Sequence, residues 1–173
     1  AGPAGLAAAT IAAQRGHVVT LFDADKEIGG QFNIAKQIPG KEEFYETLRY
    51  FTKQIEIHNV AVKLNNTVSL TDLKEANFDE IIIATGIKPR EVNIEGINHE
   101  KVLSYIDVLK HKKPVGKRVA VIGAGGIGFD VSEYLTHEGV VTSQNIDAWL
   151  KEWGIDKTFK SRAGIENVQP AFK

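Results

Sequence analysis

Two short glycine clusters hold the most legible chemistry of this chain. Ala1-Gly2-Pro3-Ala4-Gly5 reads as the last five positions of G-x-G-x-x-G, and Gly123-Ala124-Gly125-Gly126-Ile127-Gly128 gives the complete pattern. A glycine turn that opens a helix lets backbone N–H groups approach a diphosphate, and the helix N-terminus adds about half a positive charge. Gly2 has no Cβ to block that approach, Gly5 lets the helix pack closely on a strand, and Pro3 sits where a missing N–H is tolerated. One such motif is weak evidence. Two, each ahead of a helical apolar pattern, point to a protein that holds one dinucleotide for reduction and a second as hydride source.

Other residues fall at the spacing this chemistry needs. Asp23 comes at the carboxyl end of the next strand, where a carboxylate accepts hydrogen bonds from ribose hydroxyls. Asp25, two residues on in the loop, is the competing acid. Gly29 and Gly30 offer adjacent N–H groups able to form an anion cradle, and Gln31 adds an amide. Ala84-Thr85-Gly86 ends a later strand, on the usual ligand side of a parallel sheet. Asp147 lies at roughly the spacing of a second ribose reader, but beside Asn145 in a helical pattern it reads rather as a helix-start acid. The five histidines are scattered, with no i, i+4 pair, so no metal ligands and no catalytic acid or base are assigned. Bound cofactors carry the chemistry in such a scheme, and the protein positions them.

These groups must be held by alternating elements. Gly5 to Arg15 is Ala-rich and helical, with Gly16 as its stop, and His17 to Phe22 reads as a buried parallel strand. Phe44, Leu48, Phe51 and Ile55 recur at helical spacing between Lys41 and His58. Val60 to Leu64 and Thr67 to Leu70 are short strand candidates around the Asn65-Asn66 turn. Phe78 to Ala84, centred on Ile81-Ile82-Ile83, is the clearest buried strand. A linker with Pro89 and Gly96 follows, then a helix capped by Ser104, a strand from Arg118 to Ile122, and a helix from Ile127 to His137. After that the alternation fails, and Trp149 and Trp153 sit four apart in a helical segment, placed for packing.

Composition narrows the partners. The 173 residues are 43% hydrophobic, enough for a core, and 21 basic against 22 acidic residues leave a net charge of −1. That balance gives no electrostatic case for nucleic acid or an anionic membrane. No apolar run approaches the ~20 residues of a membrane span. Cysteine is absent, so the chain has no redox dithiol and no thiolate metal site, a composition compatible with the cytoplasm. Methionine is absent too, and the first motif lacks its opening glycine, so a piece of a larger protein is expected.

The glycine-pair loop, the Ala84-Thr85-Gly86 strand end and the second glycine motif resemble the two-dinucleotide flavoprotein reductases, in which an NAD(P)H domain is inserted into an FAD domain. Glu27 to Ala35, Pro39 to Phe44, Val102 to Tyr105, Gly126 to Asp130 and above all Thr142-Ser143-Gln144-Asn145-Ile146 resemble the bacterial 2,4-dienoyl-CoA reductase family across essentially the whole chain. Amine dehydrogenases share the architecture. The resemblance implies an α/β fold of three-layer Rossmann-like type around a parallel sheet, truncated at both ends. Residues 1–113 would form the FAD domain without its first strand. Residues 114–173 would begin the NADPH domain, with a family insertion over about 140–173. It implies FAD contacts at Ala4, Asp23, Gln31, Lys41 and Val68. Lys41 also reads as a solvated helix-entry lysine, and Val68 as an ordinary strand residue. NADPH would reduce FAD, and an FMN domain with a 4Fe-4S cluster, outside this chain, would reduce the acyl-CoA substrate. A nucleotide-binding module without turnover is the alternative from another class. The chain by itself is expected to be inactive.

Overall fold

The computed structural model describes residues 1–139 and 141–166. They divide into two compact units: Ala1–Gln37 with Glu42–Val115, and Ile38–Lys41 with the chain from Gly116 onward.

The first unit is built on a parallel strand pair. Helix α1 (Pro3–Gln14) has Gly2 at its N-cap and Pro3 at its first position, and it stops at Gly16, whose φ is +93°. Its alanines favour helix and keep the buried face thin, with Gly5, Leu6, Ala9 and Thr10 inside. Thr10 Oγ donates to the Leu6 carbonyl at 2.8 Å, so this buried hydroxyl is satisfied. Strand β1 (Thr20–Phe22) pairs in parallel with β2 (Ala61–Lys63), Leu21 opposite Val62. Flanking bonds extend the ladder: Ala61 N–H donates to Val19 O and Asp23 N–H to Lys63 O, both at 3.0 Å. Between the strands lie a one-turn helix, α2 (Phe32–Ala35), and the long α3 (Glu43–Ile57). The core joins Ala1, Leu6 and Leu48, with Leu21, Ile28, Phe32, Phe51 and Ile55 packed around them. The apolar stripe of α3 thus faces inward, as its spacing predicts.

Two short helices complete this unit: α4 (Leu70–Glu75) and α5 (Tyr105–Leu109). Each opens on a reciprocal capping box, Ser69 with Asp72 and Ser104 with Asp107. The second unit contains α6 (Gly126–Thr136), a 3₁₀ turn at Thr142–Gln144, α7 (Ile146–Glu152) and a second 3₁₀ turn at Arg162–Gly164. Asp156 sits at its only isolated bridge among the described residues, next to the Ile155–Ile165 pair.

Helices with a parallel sheet make this an α/β Rossmann-like fold, but several elements depart from the sequence expectation. The strand expected from His17 begins only at Thr20, because His17 N–H is used to close α1 on Ala12 O. Thr67 to Leu70 is no strand: the Ser69 hydroxyl accepts from Asp72 N–H and starts α4 instead. The runs Phe78–Ala84 and Arg118–Ile122 carry no ladder among the described residues. Ile82, Ile83 and Ile122 are 69%, 74% and 83% exposed, so neither run is the buried strand its composition predicts. A parallel strand needs partners to be buried, and β-branched composition cannot supply them. Part of the expected insertion, Val140 and residues 167–173, lies outside the described residues.

Candidate functional site

In the first unit the glycine turn and the glycine pair meet. Gly2 is the extended N-cap of α1, and the first intrahelical bond is Leu6 N–H to Gly2 O at 2.9 Å. The Ala4 and Gly5 N–H groups therefore lie outside the helical ladder, with Ala4 exposed at the surface. Gly29 N–H donates to the Ala1 carbonyl at 2.8 Å, drawing residues 29–31 across the turn. Gly30 has φ +50°, and a Cβ placed on it would come within 3.0 Å of Gly2 Cα. No side chain fits between these two backbones. Asn33 Nδ2 donates to Ile28 O at 2.9 Å and steadies the loop from beneath. Gln31 stands at the start of α2 with its side chain exposed.

The end of the 78–84 run arrives at the same place. A Cβ on Gly5 would lie 3.6 Å from Ala84 Cβ and 3.4 Å from Leu21 Cδ1. Ala84 thus packs on the first turn of α1, and Thr85 and Gly86 follow it into solvent.

The two candidate acids separate cleanly. Asp23 Oδ1 accepts from Asp25 N–H at 2.8 Å, and its Oδ2 pairs with the Ala1 amine. Burial works to raise its pKa, but the hydrogen bonds from the Ala1 amine and the Asp25 amide, with the nearby Ala1 and Lys110 charges, hold it below the usual carboxylate value. Asp25 instead pairs with Lys110 at 2.9 Å, both side chains well exposed. The carbonyls of both acids take the Asn65–Asn66 turn: Asn65 N–H donates to Asp25 O and Asn66 N–H to Asp23 O. That fixes the loop carrying Val68 beside the end of β1.

Val68 lines a cavity of about 470 Å³ shared with Phe22, Lys63, Asp72, Leu73 and Phe78. Phe22 and Phe78 meet edge to face at 6.1 Å, and Lys63 Nζ lies 5.3 Å from the Phe22 ring centroid. The alternation of β1 places Phe22 and Asp23 on opposite faces, but nothing in the sequence pairs Phe22 with Phe78.

The second glycine turn is tighter. Gly125 is the extended N-cap of α6, and the first helical bond is Phe129 N–H to Gly125 O at 3.1 Å. The Gly126, Ile127 and Gly128 N–H groups precede it. A Cβ on Gly128 would fall 2.0 Å from the Gly123 carbonyl oxygen, so only glycine can stand there. In the same unit Lys41 Nζ lies 2.7 Å from both carboxylate oxygens of Asp130, a partner that no sequence spacing announced. Asp147 stands in the first turn of α7 and pairs with Lys157 at 2.9 Å, a helix-start acid. Trp149 and Trp153 pack ring to ring at 5.9 Å.

Two helix starts with donor N–H groups and no Cβ in the way suit two diphosphates. Among the described residues no cluster of His, Cys, Asp and Glu could hold a metal ion, and no helix is long and apolar enough to cross a membrane.

Cinnamate reductase of Clostridium sporogenes is 36% identical over 149 residues, which cover 83% of this chain and 22% of that protein. Bilirubin reductase of Mediterraneibacter gnavus is 35% identical, over 82% of this chain and 22% of that protein. A solved structure of 2-naphthoyl-CoA reductase with 2-naphthoyl-CoA superimposes with a TM-score of 0.74 at 36% identity, covering 78% of this chain and 20% of that one. The chain thus spans about a fifth of the length of these relatives. Residues 1–151 match the pyridine nucleotide-disulphide oxidoreductase family, and the chain belongs to that family of FAD- and NAD-binding oxidoreductases.

Proposed function

We propose that this chain is the FAD-binding part, with the opening of the nicotinamide-dinucleotide part, of an NADPH-dependent reductase of conjugated acyl-CoA thioesters, of 2,4-dienoyl-CoA reductase type. The observation that carries the reading is the closure of Gly29–Gly30 onto Ala1–Gly2, with Asp23 held at the rim of the same turn. Likeness to a 2-naphthoyl-CoA reductase and a cinnamate reductase supports a conjugated substrate bearing an acyl group.

In this reading residues 1–113 form the FAD domain. Gly2, Pro3, Ala4 and Gly5 shape the turn, and the Ala4 and Gly5 amides take the FAD diphosphate. Asp23 accepts from ribose hydroxyls, being a carboxylate at neutral pH. Gly29, Gly30 and Gln31 close over the diphosphate. Val68 contributes backbone groups to the adenine side, and Ala84, Thr85 and Gly86 bring the end of the 78–84 run to the cofactor. Residues 114–173 begin the NADPH domain, where Gly123, Gly125, Gly126 and Gly128 hold the second diphosphate. Bound flavin supplies hydride acceptance and onward electron transfer. No side chain here exchanges a proton with substrate. FMN, a 4Fe-4S cluster and the acyl-CoA site belong to the protein beyond this chain, in a cytoplasmic enzyme of unsaturated fatty-acid breakdown.

The test is anaerobic titration of the complete flavoprotein with NADPH and, separately, NADH, followed by a 2,4-dienoyl-CoA. Bleaching of the flavin band by NADPH and its return on adding the thioester are expected. Flavin that stays oxidised in both titrations would leave only a nucleotide-binding module. Reduction by NADH alone would correct the cofactor, and flavin reduced by a methylated amine would place the protein with the amine dehydrogenases.

A further inference from the structure

Gly29 is buried, and the space where its Cβ would stand is filled from below. Asn33 Nδ2 and Oδ1 come within 2.8 and 2.9 Å of that point, and Leu48 Cδ2 within 2.9 Å. The Asn33 amide is thus the floor of the glycine-pair loop. Its two ends are used differently: Nδ2 donates to the Ile28 carbonyl at 2.9 Å, and Oδ1 accepts from Lys36 Nζ at 2.8 Å. Lys36 stands half-buried at the C-terminal end of α2, and its ammonium also lies 5.0 Å from the centroid of the Tyr45 ring on α3. All of these residues belong to the first unit.

The chemistry of the three groups permits one arrangement. An ammonium donates and cannot accept, and a carbonyl accepts and cannot donate. An amide between them must turn its oxygen to the lysine and its nitrogen to Ile28. Rotated by half a turn, it would set N–H against ammonium and oxygen against carbonyl, and both bonds would be lost. Without the ammonium, water satisfies either end of the amide, and nothing enforces the bond to Ile28. That bond matters one residue further on, because Gly29 N–H donates to the Ala1 carbonyl and Gly30 lies against Gly2. We propose that Lys36 is a positioning residue for the FAD diphosphate: it fixes the Asn33 amide, which holds Ile28 and so sets the Gly29 and Gly30 amides against the first glycine turn. The proposal rests on the reading of residues 2–5 and 29–31 as the FAD site. It requires no contact between Lys36 and the cofactor, since the lysine acts through Asn33.

The experiment follows FAD release from the complete flavoprotein on dilution, read as the rise of free-flavin fluorescence. Wild type is compared with Lys36→Met, Lys36→Arg, Asn33→Leu and the double variant Lys36→Met with Asn33→Leu. Lys36→Met keeps an apolar stem without the charge and should release FAD about fivefold faster than wild type. Lys36→Arg keeps a charged donor and should stay within about twofold of wild type. Asn33→Leu has the shape of the amide without its bonds and should release FAD about tenfold faster. The double variant should match Asn33→Leu within about twofold, because the lysine has no target left. Additive losses would mean that the ammonium acts on FAD directly or on the fold at large, and would overturn the proposal. So would a Lys36→Met rate equal to wild type, or a Lys36→Arg rate as fast as Lys36→Met. Should Asn33→Leu fail to fold, Asn33→Ala completes the cycle. A wild type that neither retains nor takes up FAD defeats the reading of the site itself, a result distinct from failure of the lysine's role.

Discussion

Gly30 lies against Gly2 so closely that a Cβ on Gly30 would stand 3.0 Å from Gly2 Cα, while one residue earlier Gly29 N–H donates to the Ala1 carbonyl. Two loops 28 residues apart in sequence thereby become one surface, the one proposed to take the FAD diphosphate. Gly30→Ala should break this surface twice over. Its φ of +50° costs a residue with a Cβ about 1–2 kcal/mol, and the Gly2 backbone would have to shift away from the new methyl. FAD content of the purified full protein should fall, with a smaller loss of thermal stability. Normal FAD content in Gly30→Ala would show that the approach is not part of the cofactor site.

Asp23 and Asp25 give a paired comparison in adjacent positions. Asp23→Ala in the complete protein should weaken FAD retention by roughly 1–3 kcal/mol, the range for polar partners left unsatisfied. Asp25→Ala loses only its exposed pair with Lys110, worth ~0–1 kcal/mol, and should retain flavin nearly as wild type does. Flavin retained through gel filtration separates the two. Equal losses would remove Asp23 from its ribose role.

The glycines and Asp23 were legible in sequence because their chemistry is local. Each marks a turn, a helix start or a strand end, and each residue type has one physical reason to be there. The helices were legible for the same reason, through the Phe44–Leu48–Phe51–Ile55 stripe and the Ser104 cap. Ser69-Leu70-Thr71-Asp72 carried an equally local signal, a capping box, which the β-branched Thr67-Val68 pair obscured. The isoleucine run at 81–83 misled, because burial of a strand depends on neighbours that composition does not name. Phe22 with Phe78, and Lys41 with Asp130, were out of reach altogether: each is a tertiary contact that no periodicity encodes.

Asp156 organises the end of the second unit, and its hydrogen bonds predict an acid-sensitive loop. Its buried carboxylate accepts from Thr158 N–H and Oγ, Lys160 N–H and Ser161 N–H at 2.6 to 2.8 Å. The Thr158 hydroxyl and the amides of Ser161 and Thr158 hold its pKa well below the ordinary 3.8. The folded pKa is depressed, so the unfolded loop binds protons first as pH falls. The stabilisation is complete above the ordinary carboxylate range and is lost as pH drops through 3.8 toward the folded value. Hydrogen exchange over residues 154–165 should therefore be slow and pH-independent, once intrinsic rates are divided out, down to about pH 5, and should accelerate below it. Asp156→Ala should exchange rapidly at every pH. Equal acid sensitivity in wild type and variant would deny Asp156 this part.

Gly128 gives the sharpest separation between the two dinucleotide sites. Its missing Cβ is occupied by the Gly123 carbonyl oxygen, only 2.0 Å from where the methyl of alanine would sit. That oxygen belongs to backbone, at a residue with φ +116°, so relief requires the whole turn to open. Overpacking of this kind costs about 1–3 kcal/mol or more, and here the strain falls on the donors themselves. Gly128→Ala should therefore weaken NADPH binding by ~10–100-fold, as roughly 1.4–2.8 kcal/mol of lost affinity implies. The first glycine turn is built from other residues, so FAD content should stay at the wild-type level. Stopped-flow reduction over a range of NADPH concentrations tests the same point kinetically, with a raised half-saturation concentration as the main effect. A variant that loses FAD while keeping NADPH affinity would reverse the assignment of the two turns.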